Sequence, residues 1–152
     1  MTIVQPAATD ALVERDELLA RLHRAFRDAT AGRGHLVLVS GEAGAGKTSL
    51  VRQFCDELPA GTSVLWGGCD PLATPRPLGP FLEIADSADA GAVGAALGPW
   101  SGSHDVAGTL LERAAGREAF VVVVEDAHWA DEATLDVVRL LARKTGSTSC
   151  LV

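Results

Sequence analysis

Three glycines within eight residues, Gly41-Glu42-Ala43-Gly44-Ala45-Gly46-Lys47-Thr48, set the tightest constraint on this chain. An apolar run, Leu36-Val37-Leu38-Val39, leads in, and a helix-like stretch from Ser49 to Leu58 leads out. A strand that turns through glycines straight into a helix can aim successive backbone N–H groups inward, since glycine accepts the left-handed backbone such a turn needs. The helix start adds further unpaired N–H groups and a partial positive charge. The spacing is the phosphate-loop pattern G-x-x-x-x-G-K-[ST], in which Lys47 reaches the β- and γ-phosphates and the Thr48 hydroxyl ligates Mg²⁺. The stretch Gly41, Glu42, Ala43, Gly44, Ala45, Gly46, Lys47, Thr48 and Ser49 is therefore the candidate nucleotide-binding segment. The alternative is a glycine-rich turn with a surface lysine, and the strand and helix flanks speak against it.

The chain has 152 residues, enough for one domain with a proper core. No apolar run nears the roughly 20 residues of a membrane span. The start, Met1-Thr2-Ile3-Val4-Gln5-Pro6, lacks the basic region and apolar core of a secretory signal. A net charge of −7 disfavours direct nucleic-acid contact. Cys55, Cys69 and Cys150 are widely spaced and make no C-x-x-C, which fits reduced thiols and a cytoplasmic protein without a metal cluster.

Along the chain, residues 1–11 read as a flexible leader and 12–152 as the domain. Leu18, Leu22, Phe26 and Ala29 recur at helical spacing between Leu12 and Ala29. His35 to Ser40 reads as a buried strand, Lys47 to Leu58 as a helix ended by Pro59, and Thr62 to Trp66 as a second strand. Gly67 to Pro80 is a loop with four prolines, followed by a short helix near Phe81 to Asp86. Ser87 to Gly102 is Ala/Gly-rich and undetermined. A helix capped by Ser103 or Asp105 runs to about Arg117, with Val106, Leu110 and Ala114 on one face. Phe120 to Val124 suits a strand buried on both faces. Asp131 caps a helix through Lys144 whose apolar face is Leu135, Val138 and Leu141 or Ala142. Cys150-Leu151-Val152 begins another strand. Alternating strands and helices predict an α/β fold with a mostly parallel sheet covered on both faces.

Val121-Val122-Val123-Val124-Glu125-Asp126 supplies the second half of a site. A parallel strand ending in two acids places carboxylates at the sheet edge where such folds bind ligands. The phosphate loop leaves at the same edge, so Lys47, Thr48, Glu125 and Asp126 are expected to converge. Glu125 most simply joins Thr48 around the metal, and Asp126 then orients or deprotonates water. The reverse assignment stays open, because side-chain length and register decide which carboxylate reaches further.

These features together resemble the STAND group of P-loop ATPases, AAA-type modules of multi-domain regulators, and more narrowly the N-terminal ATPase module of large LuxR-type transcriptional regulators. Four stretches carry the likeness: Leu12 to Leu18, the phosphate loop, Gly68 to Pro80, and Glu125 to Asp136. The resemblance implies a P-loop NTPase three-layer α/β/α sandwich, with ATP and Mg²⁺ as cofactors. It implies that Val13 and Arg15 lie near the adenine. It also implies a further strand between the phosphate-loop strand and the acidic-pair strand, which here could only be the one beginning at Ser149. A glutamate at position 125 departs from the aspartate of many P-loop proteins. Length is a larger departure: sensor, lid and a distal helix-turn-helix are not in these 152 residues. The expectation is an N-terminal fragment or truncated product that stops as its central strand begins.

Other residues have plainer readings. Arg76 is a solvated loop arginine before it is a phosphate contact. His128 is a candidate γ-phosphate sensor, and Trp129 packs at the sheet end. Arg139 and Arg143 fit a solvated helix face, with an arginine finger in a nucleotide-dependent self-association as the alternative. Three functions follow in order: an ATP-driven regulatory switch with slow hydrolysis, a non-hydrolysing nucleotide-binding scaffold, and a small-molecule kinase. The kinase would need several arginines in a lid, and residues 67–117 offer only Arg76, Arg113 and Arg117.

Overall fold

The computed structural model describes residues 2–4, 11–72, 76–87, 102–116 and 118–152, with side chains from residue 15 onward. In chain order its elements are β1 (Thr2–Val4), α1 (Ala11–Thr30), β2 (Val37–Val39), α2 (Lys47–Asp56), β3 (Ser63–Gly68), α3 (Gly79–Asp86), α4 (Ser103–Ala114), β4 (Phe120–Glu125), α5 (Glu132–Lys144) and β5 (Cys150–Leu151). Single 3₁₀ turns at Ala127–Trp129 and Thr145–Ser147 flank α5.

Every described strand pairing is parallel. β1 lies along β2, with Thr2 opposite Val37 and Val4 opposite Val39. β4 runs between β3 and β5. The two sets are joined by a parallel bridge between His35 and Leu151. There the His35 N–H donates to the Cys150 carbonyl at 3.1 Å, and the Val37 N–H to the Val152 carbonyl at 2.7 Å. The order across the joined strands is β1-β2-β5-β4-β3, which puts Cys150–Leu151 between the phosphate-loop strand and the acidic-pair strand.

Two cores lie on opposite faces of these strands, because successive strand residues point to opposite sides. On one face Leu18, Leu22, Phe26, Leu50 and Phe54 of α1 and α2 pack against Val121 and Leu151. On the other, Phe81, Ile84, Val106, Leu110, Val137 and Leu141 of α3, α4 and α5 pack against Leu65, Phe120, Val122 and Cys150. Helices on both faces of parallel strands make this an α/β fold of the P-loop NTPase kind, a three-layer α/β/α sandwich. No helix among the described residues is long and apolar enough to cross a membrane.

Four expectations need correction. Thr2–Val4, read as part of a loose leader, forms β1, since three apolar or β-branched residues find the free edge of β2. Residues 5–10 lie outside the described set, as do 88–101 in the Ala/Gly stretch. β2 is not buried on both faces: Leu38 is 44% exposed, because α1 and α2 cover the side holding Val37 and Val39. α4 ends at Ala114, short of the expected Arg117, which lies outside the described residues. On α5 the buried line is Thr134, Val137 and Leu141. Leu135 and Val138 are half-buried at its flanks, and Thr134 can take a buried position because its hydroxyl is satisfied by Asp131.

Candidate functional site

The glycine loop links β2 to α2 through two left-handed residues, Gly44 at φ 80° and Gly46 at φ 77°. A side chain at either would be strained there. The Ala45 N–H closes a turn on the Glu42 carbonyl at 3.2 Å. α2 then starts at Lys47 with no side-chain cap and no acid in its first turn, so its first N–H groups face the loop unclaimed by side chains. No described heavy atom would lie within 4 Å of a Cβ on Gly44. Uncapped N–H groups, open space over Gly44 and the positive helix end fit a phosphate group.

Lys47 curls back on this loop. Its Nζ donates to the carbonyls of Gly41 at 3.0 Å and Glu42 at 2.9 Å. Arg15 reaches the same loop from α1. Its Nε donates to Gln53 Oε1 at 3.0 Å, and its guanidinium lies 3.7 Å from where a Gly46 Cβ would stand. Val13 sits on α1 two residues earlier, and its side chain lies outside the described set.

The acidic pair comes from the end of β4. Alternation along this strand puts Val121, Val123 and Glu125 on the α2 side. Glu125 Oε1 accepts the Thr48 hydroxyl, and Oε2 accepts the indole Nε1–H of Trp66 at 3.1 Å. The Glu125 carbonyl takes the Cys69 N–H at 3.0 Å, which extends the β3–β4 ladder past its last register pair, Gly68 and Glu125. Asp126 turns away from the strand. It is left-handed at φ 52°, a conformation aspartate tolerates better than most residues. Its carbonyl accepts the Trp129 N–H at 2.8 Å, and His128 Nδ1 stands 4.0 Å from its carboxylate.

Lys47, Thr48, Glu125, Asp126 and His128 line one groove of about 560 Å³ between β2 and β4. Among the described residues no three His, Cys, Asp or Glu side chains cluster as a metal cage. Mg²⁺ does not need one. It is held by one or two protein oxygens together with phosphate and water, and a threonine hydroxyl touching a carboxylate is such a donor set. A second groove, about 740 Å³, lies at the other end of the strands around Phe26, Pro59, Arg113 and Phe120. It lacks the loop, the lysine and the acids that make the first groove the candidate site.

Below the acids, Asp131 ties two segments together. Its Oδ1 caps α5 through the N–H groups of Ala133 and Thr134 at 2.9 and 3.1 Å. Its Oδ2 accepts the Leu78 N–H at 3.2 Å, from the end of the proline-rich segment. Buried Cys69 lies beside it. Burial, then the charges of Asp131, Asp126 and Asp70, push the thiol up to about 11, so it stays protonated near neutral pH. Of the plainer residues, Arg139 pairs with Asp136 at 2.8 Å and Glu132 at 3.5 Å on the α5 surface. Arg76 is exposed.

Sequence reasoning missed Trp66 and Gln53 as neighbours of the site. The available signal for Trp66 was its parity: two residues before the end of β3, on the face that Glu125 shares. The β3–β4 register needed to use that signal is not written in either segment alone.

The model of the AAA ATPase domain family matches residues 11–152, a span that contains the glycine loop, Arg15, Trp66 and the acidic pair. Searches of curated proteins and of solved structures found no match. A match over nearly the whole length, on strands and helices arranged as above, places this chain in the AAA ATPase domain family.

Proposed function

We propose that this chain binds Mg-ATP between the Gly41–Thr48 loop and the Glu125–Asp126 pair, and hydrolyses it slowly as the switch module of a LuxR-type multi-domain regulator. The contact between the Thr48 hydroxyl and the Glu125 carboxylate carries this reading, since it brings the two halves of a metal-phosphate site together. Lys47 exchanges its two loop carbonyls for phosphate oxygens, which are stronger acceptors. Thr48 and Glu125 would hold Mg²⁺, which would supply positive charge against the phosphate oxygens. Asp126, exposed at the strand end, orients the attacking water. Arg15, braced by Gln53 beside the glycine loop, is read as the purine contact because the family resemblance implies it.

Slow turnover suits a switch, in which bound γ-phosphate orders the surrounding loops and hydrolysis releases them. The acidic chain leaves DNA contact to other domains of such a regulator. Titrating Mg-ATP into the wild-type chain and into Lys47→Ala tests the site. The variant should bind at least tenfold more weakly, and equal affinities would remove the claim. Phosphate release in single-turnover mixing tests the switch: binding without release would leave a nucleotide-holding scaffold instead.

A further inference from the structure

We propose that Trp66 is a positioning residue for Glu125, and that its indole registers the arrival of Mg²⁺ at the nucleotide. The proposal rests on the reading of the site given above. Its observation is a closed ring of contacts. Thr48 on α2 donates to one oxygen of Glu125. Trp66 on β3 donates to the other. The Arg52 guanidinium, one helical turn after Thr48, lies 4.9 Å from the centre of the Trp66 ring. The path thus leaves α2 at Thr48, crosses β4 and β3, and returns to α2 at Arg52.

The register makes this possible. Trp66 stands opposite Val123, so Glu125 is its diagonal neighbour on the same face, within reach of a large aromatic. Glutamate has three side-chain torsions, and a carboxylate that must meet a metal in one orientation needs them held. Threonine alone cannot do so, because its hydroxyl is itself a ligand in the loaded site. Trp66 can, because indole Nε1–H donates and never coordinates. A cation on the Oε1 side of Glu125 draws charge from Oε2, the acceptor of the Trp66 N–H, while that bond keeps the carboxylate in place. The half-buried indole then reports the change in its emission.

The test uses the full chain in two arms. The sequence holds three tryptophans, so Trp100→Phe with Trp129→Phe leaves Trp66 as the sole indole. Mg²⁺ is titrated into that chain with ATP already bound in EDTA, and emission is followed. A Mg²⁺-dependent shift is expected, and a flat signal would overturn the proposal. In the second arm, Trp66→Phe keeps a ring over Arg52 but removes the donor. It should leave metal-free ATP affinity unchanged and raise the Mg²⁺ midpoint about tenfold, as lost outer-shell partners of metal ligands do. An unchanged midpoint would overturn the proposal while the site reading stands. A wild-type chain that binds no nucleotide removes the site reading, and this proposal with it. If Trp66→Phe does not fold, judged by its thermal transition, the emission arm decides.

Discussion

Asp131 and Leu78 are joined across 53 residues by a single hydrogen bond, the Leu78 N–H donating to Asp131 Oδ2 at 3.2 Å. The same carboxylate caps α5 with its other oxygen. One aspartate thereby fixes both the helix after the acidic pair and the end of the proline-rich segment. Leu78 needs the anchor, since it holds a left-handed backbone at φ 59°, unusual for leucine. Replacing Asp131 with Ala removes the cap and leaves the Leu78 N–H without its acceptor. The cost should be about 2 kcal/mol, near the upper end for a lost N-cap. Asp131→Asn should recover most of it, because asparagine caps almost as well. Urea midpoints of the three chains check this, and equal loss in both variants would show that the charge rather than the cap matters.

Gly67 packs directly on the start of α3. A Cβ there would stand 2.1 Å from the Pro80 carbonyl oxygen and 2.7 Å from its carbon. Both are backbone atoms, which cannot swing aside as a side-chain tip can. Gly67→Ala must push α3 off β3 and disturb the core around Phe81 and Ile84, at about 1–3 kcal/mol. Gly79→Ala, with nothing within 4 Å, is the matched control and should stay near wild type. Thermal unfolding of the pair gives the comparison.

Glu125 and Asp126 should separate by what they change. Glu125 touches Thr48 and Trp66, so Glu125→Gln should weaken the Mg²⁺ dependence of nucleotide binding about tenfold. Asp126 touches neither, so Asp126→Asn should leave binding in place and slow phosphate release about a hundredfold, within the usual range for a lost general base. Mg²⁺ titrations and single-turnover release read the two effects independently. A swap of the two phenotypes would assign water activation to Glu125.

The loop and the acidic pair were legible in the sequence because each is a local pattern: residue types at fixed spacing beside an apolar run. The central place of Cys150–Leu151 came from the family resemblance, and the His35–Leu151 bridge bears it out. What stayed hidden depends on pairing between distant segments. Trp66 acquires its role only through the β3–β4 register. α5 presents Thr134 and Val137 inward rather than Leu135 and Val138, and the Asp131 cap satisfies the Thr134 hydroxyl that this buries. Hydrophobic period alone favoured the leucine. β1 was hidden by its length, since three residues carry no period to read.

Alkaline pH should loosen this fold through its thiols. Burial pushes Cys150 up to about 12, and burial pushes Cys55 and Cys69 up to about 11, all from an ordinary value of 9.0. Between pH 9 and 11 the unfolded chain releases these protons while the folded chain keeps them. The unfolded state then binds fewer protons, so unfolding free energy falls as pH rises. The stabilisation is fully present below pH 9 and is lost progressively as pH climbs toward the folded values. Tyrosine, one of the other groups that ordinarily titrate in this range, is absent from the sequence. Cys150 is the most deeply placed of the three, 1% exposed between Phe120 and the α4–α5 layer, and should contribute most. Cys150→Ala should lose some stability at pH 7.5 from the smaller side chain, yet show a shallower decline from pH 8 to 10.5. Urea midpoints at half-unit steps measure both. Parallel declines in the two chains would assign the alkaline loss to groups other than this thiol.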